Sequence, residues 1–140
     1  MKLYVLDTDI AGFVQNEHPI VMRRLASLSQ DDSVVTTVVT IAEAVSGWLP
    51  ACFRAQNGAA RKQALSRLQR TIEFYENFLW LPFDDAAAHI FDQLKAQKIR
   101  IGTNDLSIAS ITLAVSGILI TRNTVDFQRI PNLIFEDWTI

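Results

Sequence analysis

Leu3-Tyr4-Val5-Leu6-Asp7-Thr8-Asp9 sets four apolar residues directly before an acid, a threonine and a second acid. A short apolar run without polar alternation reads as a strand buried on both faces, the habit of parallel sheets. The pattern returns twice. Val34-Val35-Thr36-Thr37-Val38-Val39 precedes Glu43, and Ile118-Leu119-Ile120-Thr121 precedes Asp126. A fourth acid, Asp105, opens a helix-like segment after Ile99-Arg100-Ile101-Gly102. Strands are expected at 3–6, 33–37 and 118–121, with weaker candidates at 78–81 and 133–135, the last at a sheet edge.

Helical patterns fill the intervals. Val45, Trp48, Leu49, Cys52 and Phe53 share a stripe, which Pro50 should kink or end. Leu65, Leu68, Ile72, Tyr75 and Leu79 make a second. Asp84 or Asp85 can cap a helix carrying Phe91 and Leu94. Residues 106–115 are apolar all round, as in a buried helix, and Gly117 stands where a helix C-terminus favours positive φ. Strands alternating with helices predict one α/β domain over 1–140, with a mainly parallel central sheet flanked by helices on both faces.

Composition narrows the function. The chain is 49% hydrophobic and 20% charged with a net charge of -2, so any footprint for nucleic acid must be local. Its one cysteine, Cys52, excludes an intrachain disulfide and lies on an apolar stripe as a small hydrophobe. No secretory leader pattern opens the chain, and the apolar stretch from Leu106 to Ile120 is too short for a membrane span. A soluble, cytoplasmic protein is expected. Phosphate-cradling glycine loops, nucleophile elbows and zinc-ligand spacings are missing. His18 and His89 read as surface or structural, which argues against acid–base chemistry by a histidine pair.

The acids remain. Ligands of open α/β sheets bind at the carboxyl ends of the strands, where Asp7, Glu43, Asp105 and Asp126 would gather. Carboxylates packed together repel unless a cation lies between them, and a site without sulfur or imidazole selects Mg²⁺ or Mn²⁺ over zinc. Each acid also has a structural reading: Asp7 or Asp9 as a helix cap, Thr40 and Glu43 as a capping box, Asp105 in a helix first turn, Asp126 in a turn. Glu43 falls off its helix's apolar stripe, beside Gly47, whose lack of a side chain permits close backbone approach. Asp105 shares a face with Ala109, Thr112 and Ser116, small enough to let that helix sit tightly on the sheet.

In order and spacing, Val5-Leu6-Asp7-Thr8-Asp9, Thr40-Ile41-Ala42-Glu43, Ile101-Gly102-Thr103-Asn104-Asp105 and Leu119-Ile120-Thr121-Arg122-Asn123-Thr124-Val125-Asp126 resemble the successive motifs of the PIN-domain ribonucleases. The ending, Arg129-Ile130-Pro131-Asn132-Leu133 through Glu136-Asp137-Trp138, is similar to the close of the VapC toxins of bacterial toxin–antitoxin modules. The resemblance implies a Mg²⁺- or Mn²⁺-dependent endoribonuclease whose catalytic acids are Asp7, Glu43, Asp105 and Asp126, with Asp7 and Asp105 on the metal. Asp9, Thr121 and Asn123 would steady them. Asn123 stands where some relatives carry the fourth acid, and Ala44 where many have leucine. The resemblance also implies RNA as substrate, tRNA included, a homodimer, and a cognate antitoxin, for which the apolar hairpin around Trp48, Leu49, Phe53 and Phe74 is a candidate surface.

For RNA capture, Lys95, Lys98, Arg100 and Arg122 are better placed than the basic run Arg54, Arg61, Lys62, Arg67 and Arg70, which also fits solvated helix faces. An RNA-processing nuclease outside a toxin–antitoxin pair and a catalytically silent binding module are the alternatives. A phosphate-accepting signalling domain would want a lysine after a late strand, and Thr121-Arg122-Asn123 offers none.

Overall fold

The computed structural model describes residues 1–140 and places five strands in one all-parallel sheet. Strand β1 is Leu3–Leu6, β2 Ser33–Thr37, β3 Leu79–Leu81, β4 Ile118–Ile120 and β5 Ile134–Glu136. The sheet order is β3-β2-β1-β4-β5, so both weaker strand candidates are edges. The chain winds outward from β1 through β2 and β3, then returns to lay β4 and β5 on the other side. The switch point between β1 and β4 is where such sheets open their ligand crevice.

Alternation along β1 explains the two-layered core. Val5 faces one side with Val35 and Leu119, covered by Leu94 of α5 (Asp85–Ala96) and Leu106, Ile108 and Ala109 of α6 (Thr103–Ala114). Tyr4 and Leu6 face the other, covered by Ile10 and Ala11 of α1 (Thr8–Gln15), Val21 of α2 (Pro19–Ala26), Tyr75 of α4 (Gly58–Tyr75) and Trp138. Helices thus cover both faces, as expected.

Several local expectations are corrected. Helix α3 runs unbroken through Pro50, from Val38 to Arg54. Its cap is Thr37, whose hydroxyl accepts from Thr40 N at 3.1 Å, so Thr40 and Glu43 form no capping box. Thr37 wins because extended β2 ends there, leaving its Oγ pointing back at the first turn. Leu79 belongs to β3 and not to the preceding helix. A Cβ built on Gly47 meets no atom within 4 Å, so that glycine opens space beside Glu43 where close backbone contact was expected. Gly117 does not take positive φ; Ser116 does, at 53°. Helix α2 and the four-residue α7 (Thr124–Phe127) are additions to the sequence reading.

Candidate active site

The crevice at the switch point is assembled by backbone first. Asp7 N donates to Ile120 O at 3.0 Å, continuing the β1–β4 ladder one residue beyond the strands and bringing Asp7 alongside Thr121. Both are buried. Asp7 also caps α1, its Oδ1 accepting from Ile10 N at 3.0 Å. Its capping role and its place in the crevice are therefore the same geometry.

Around Asp7 stand the other acids. Asp105, in the first turn of α6, is half-buried and feels the charges of Glu43, Asp126 and Asp9. Glu43 comes from α3 and accepts a hydrogen bond from Thr8 Oγ1 at 2.5 Å. A cavity of about 350 Å³ lies between Glu43 and Asp105, lined also by Gly102, Thr103 and Asn104. Asn123 Nδ2 donates to Asp105 Oδ2 at 3.3 Å and to Asp126 Oδ2 at 3.0 Å, tying α6 to α7. Asn123 N in turn donates to Thr121 Oγ1 at 2.9 Å. Asp126 is further engaged by Arg129 at 3.6 Å, the one ion pair of the molecule.

The electrostatics follow from this placement. Burial drives the Asp7 carboxyl up to about 7; bonds from Thr121 and Ile10 N oppose the rise, while the charges of Asp9 and Asp105 add to it. Asp105 is also raised, first by burial and then by Glu43, with Asn123 pulling back. Tyr75 is pushed up to about 12 by burial, then by the charges of Glu43 and Asp7. Tyr75 had been legible only as a member of an apolar stripe, and Thr8 only as the middle of Asp-Thr-Asp.

The convergence is looser than the sequence led us to expect. No three acidic, histidine or cysteine side chains form a cage of direct metal ligands. Each carboxylate answers to a protein partner: Asp7 to Ile10 N, Glu43 to Thr8, and Asp105 and Asp126 to the shared Asn123. Of the basic residues, Arg122 lies over the Phe13 ring at 5.8 Å and lines a cavity with Thr8, Asp9 and Asn123. Lys95 lies over Phe91 at 5.6 Å, and it, Lys98 and Arg100 are exposed. Arg129 donates to Arg100 O at 2.8 Å and so joins that segment to Asp126. On the α3–α4 hairpin, Trp48, Leu49 and Phe74 are half-buried, and Trp48 Nε1 donates to Thr71 at 2.9 Å; Phe53 protrudes, 75% exposed.

A five-stranded parallel sheet with helices on both faces, and acids near the ends of its central strands, defines an α/β protein. The sequence profile of the PIN domain matches residues 4–133, and the chain belongs to that family. It is similar to "Ribonuclease VapC1" of Haemophilus influenzae, 33% identical over 141 residues and 98% of each chain. A second relative, at 29% identity over 99% of this chain and all of the other, is the "tRNA(fMet)-specific endonuclease VapC" of Shigella flexneri. Among solved structures, VapBC-1 from nontypeable Haemophilus influenzae superposes with a TM-score of 0.76 at 30% identity, covering 99% of both chains. No helix of the molecule is long and apolar enough to cross a membrane.

Proposed function

We propose that the chain is an endoribonuclease that uses Mg²⁺ or Mn²⁺ and acts as the toxin of a toxin–antitoxin pair, with Asp7, Glu43, Asp105 and Asp126 as its working acids. One observation carries this reading: Glu43 and Asp105 line one cavity, Asp105 feels the charge of Asp126 and Asp7 that of Asp105, and of these acids only Asp126 has a cationic partner. Such charge demands a positive counterpart. The donors are oxygen only, which fits a hard divalent ion. Mg²⁺ keeps most of its waters and takes one or two direct carboxylates plus substrate phosphate, so the open arrangement suits it.

Asp7 and Asp105 are the assigned ligands, because they are the two acids whose carboxyls burial drives up. A divalent ion held by them would supply Lewis acidity for hydrolysis of the phosphodiester. The protein's own contribution is positional. Thr121 and Ile10 N fix Asp7, and Asn123 fixes Asp105 against Asp126. Arg122, at the edge of the Asp9 cavity, is placed to meet a phosphate of the RNA strand. The relatives named as ribonucleases, one of them specific for a tRNA, support RNA as substrate and tRNA as the first to try. Phe53, with Ile72 46% and Leu65 43% exposed on α4, offers the antitoxin an apolar surface.

The test is Asp105→Asn. Purified variant protein should lose at least about 100-fold in Mn²⁺-supported RNA cleavage while keeping its fold. Expression of the wild-type chain alone should arrest growth, and expression of the variant should not. Undiminished cleavage by the variant overturns the site assignment, and growth arrest by an inactive variant overturns the nuclease account of toxicity.

A further inference from the structure

We propose that Thr8 is the positioning residue for Glu43, holding its carboxylate through a relay of hydroxyl groups that begins at the end of β2. The inference rests on the ribonuclease reading above, in which Glu43 serves the reaction.

A threonine in the first turn of a helix ordinarily turns its hydroxyl to solvent or bonds its own backbone. Thr8 does neither. Its half-buried side chain crosses from α1 to α3 and meets Glu43 Oε1, 35 residues away in sequence, at 2.5 Å. Glu43 has no other hydrogen-bond or ion-pair partner in the protein. A glutamate has three side-chain torsions to settle, and here a single hydroxyl settles where one carboxylate oxygen lies.

Behind Thr8 the hydroxyls continue. Thr8 Oγ1 lies 3.4 Å from Thr40 Oγ1, which lies 3.3 Å from Thr37 Oγ1. Thr37 and Thr40 are fully buried. A hydroxyl carries one proton, and the short contact with a carboxylate claims that of Thr8. The Thr8–Thr40 contact must therefore run from Thr40 to Thr8, and Thr37 must donate to Thr40. Thr37 Oγ1 keeps a lone pair for Thr40 N, which it caps at 3.1 Å. Every proton in the series Thr37, Thr40, Thr8 then points toward Glu43, and each donor polarises the next. The same series joins the β2–α3 junction to the start of α1, and so ties the Asp7 segment to the Glu43 segment.

The test compares Thr8→Val, which keeps shape and loses the hydroxyl, with Thr8→Ser, which keeps the hydroxyl. At saturating Mn²⁺, Thr8→Val should lower kcat roughly 10- to 100-fold, the scale of one hydrogen bond to a charged group, with KM for RNA nearly unchanged. Thr8→Ser should recover most of that loss. In a Glu43→Gln background, Thr8→Val should have no further effect on cleavage. A readout independent of cleavage is the carboxylate carbon resonance of Glu43 in metal-free protein labelled at glutamate Cδ, which should move in Thr8→Val and stay in Thr8→Ser. Full kcat in Thr8→Val, or a serine variant no better than valine, overturns the relay while leaving the nuclease reading intact. If Glu43→Gln itself cleaves normally, the assignment of Glu43 fails and the relay loses its purpose with it.

Discussion

Helices α6 and α3 each bring one acid to the same cavity, and they are built on opposite plans. In α6, Leu106, Ile108, Ala109, Ser110, Ile111 and Thr112 are all buried, so the helix is gripped on every side before Asp105 is considered. In the 17 residues of α3 only Thr40 and Cys52 are buried, and the helix packs mainly against α4 at the margin of the molecule. Asp105 is therefore located by the core, whereas Glu43, on a helix with few buried residues, is located by one hydroxyl.

The contrast breaks first in the core. Ile108→Ala removes a fully buried side chain from the α6 layer and should cost about 2–5 kcal/mol of stability in urea unfolding. Phe53→Ala, on the exposed side of α3, should stay within about 0.5 kcal/mol. Equal losses at the two positions would show that α3 is anchored as firmly as α6, and the difference between the two acids would vanish.

How much of this was legible in the sequence follows the same division. Residues 106–115 announce their burial because they are apolar on every face, and β1 and β4 do so through unbroken Val, Leu and Ile. The acids are legible because each stands near the start or end of such an element. What the sequence hides is anything decided by a distant partner. The sequence suggests Thr40 as the cap of α3, and only the point where β2 stops moves the cap to Thr37. Thr8 meets Glu43 only once the sheet has set α1 against α3. Helix α2 is only eight residues long, about two turns, too short for its apolar stripe to repeat.

Asp7 sharpens the comparison from the electrostatic side, since it is the acid most deeply buried. Its folded carboxyl titrates near 7 against 3.8 when exposed. The folded state thus binds this proton more tightly than the unfolded chain, so ionisation opposes folding. The penalty is absent below about pH 4, grows as pH rises to 7 and is constant above, on the order of 4 kcal/mol in full. Asp7→Asn keeps the cap on Ile10 N and deletes the charge. In the presence of a chelator the variant should be more stable than wild type at pH 8, and the gap should close by pH 4. A gap that widens on acidification would mean that Asp7 is held as a favourable anion and that its burial does not govern it.

The smallest effect lies at the far end of α6 and shows why Gly117 misleads. Two bonds close that helix, Gly117 N to Thr112 O at 3.0 Å and Ser116 N to Leu113 O at 3.1 Å, the paired pattern of a Schellman motif. In that motif the left-handed residue is the one before the outer donor, so Ser116 must take φ 53° and Gly117 is relieved of it. The glycine is needed for a different reason: a Cβ there would lie 3.0 Å from Val5 Cγ2 and 3.3 Å from Leu3 O, where α6 turns into β4 against β1. One segment thus asks for two glycines and receives one. Ser116→Gly removes the left-handed strain and should raise stability by about 0.5–1 kcal/mol, net of the extra freedom it gives the unfolded chain. Because α6 is already fixed by its core, this gain should leave RNA cleavage unchanged. Altered cleavage on tightening this terminus would show that Asp105, at the other end of the helix, is less firmly held than its buried surroundings imply.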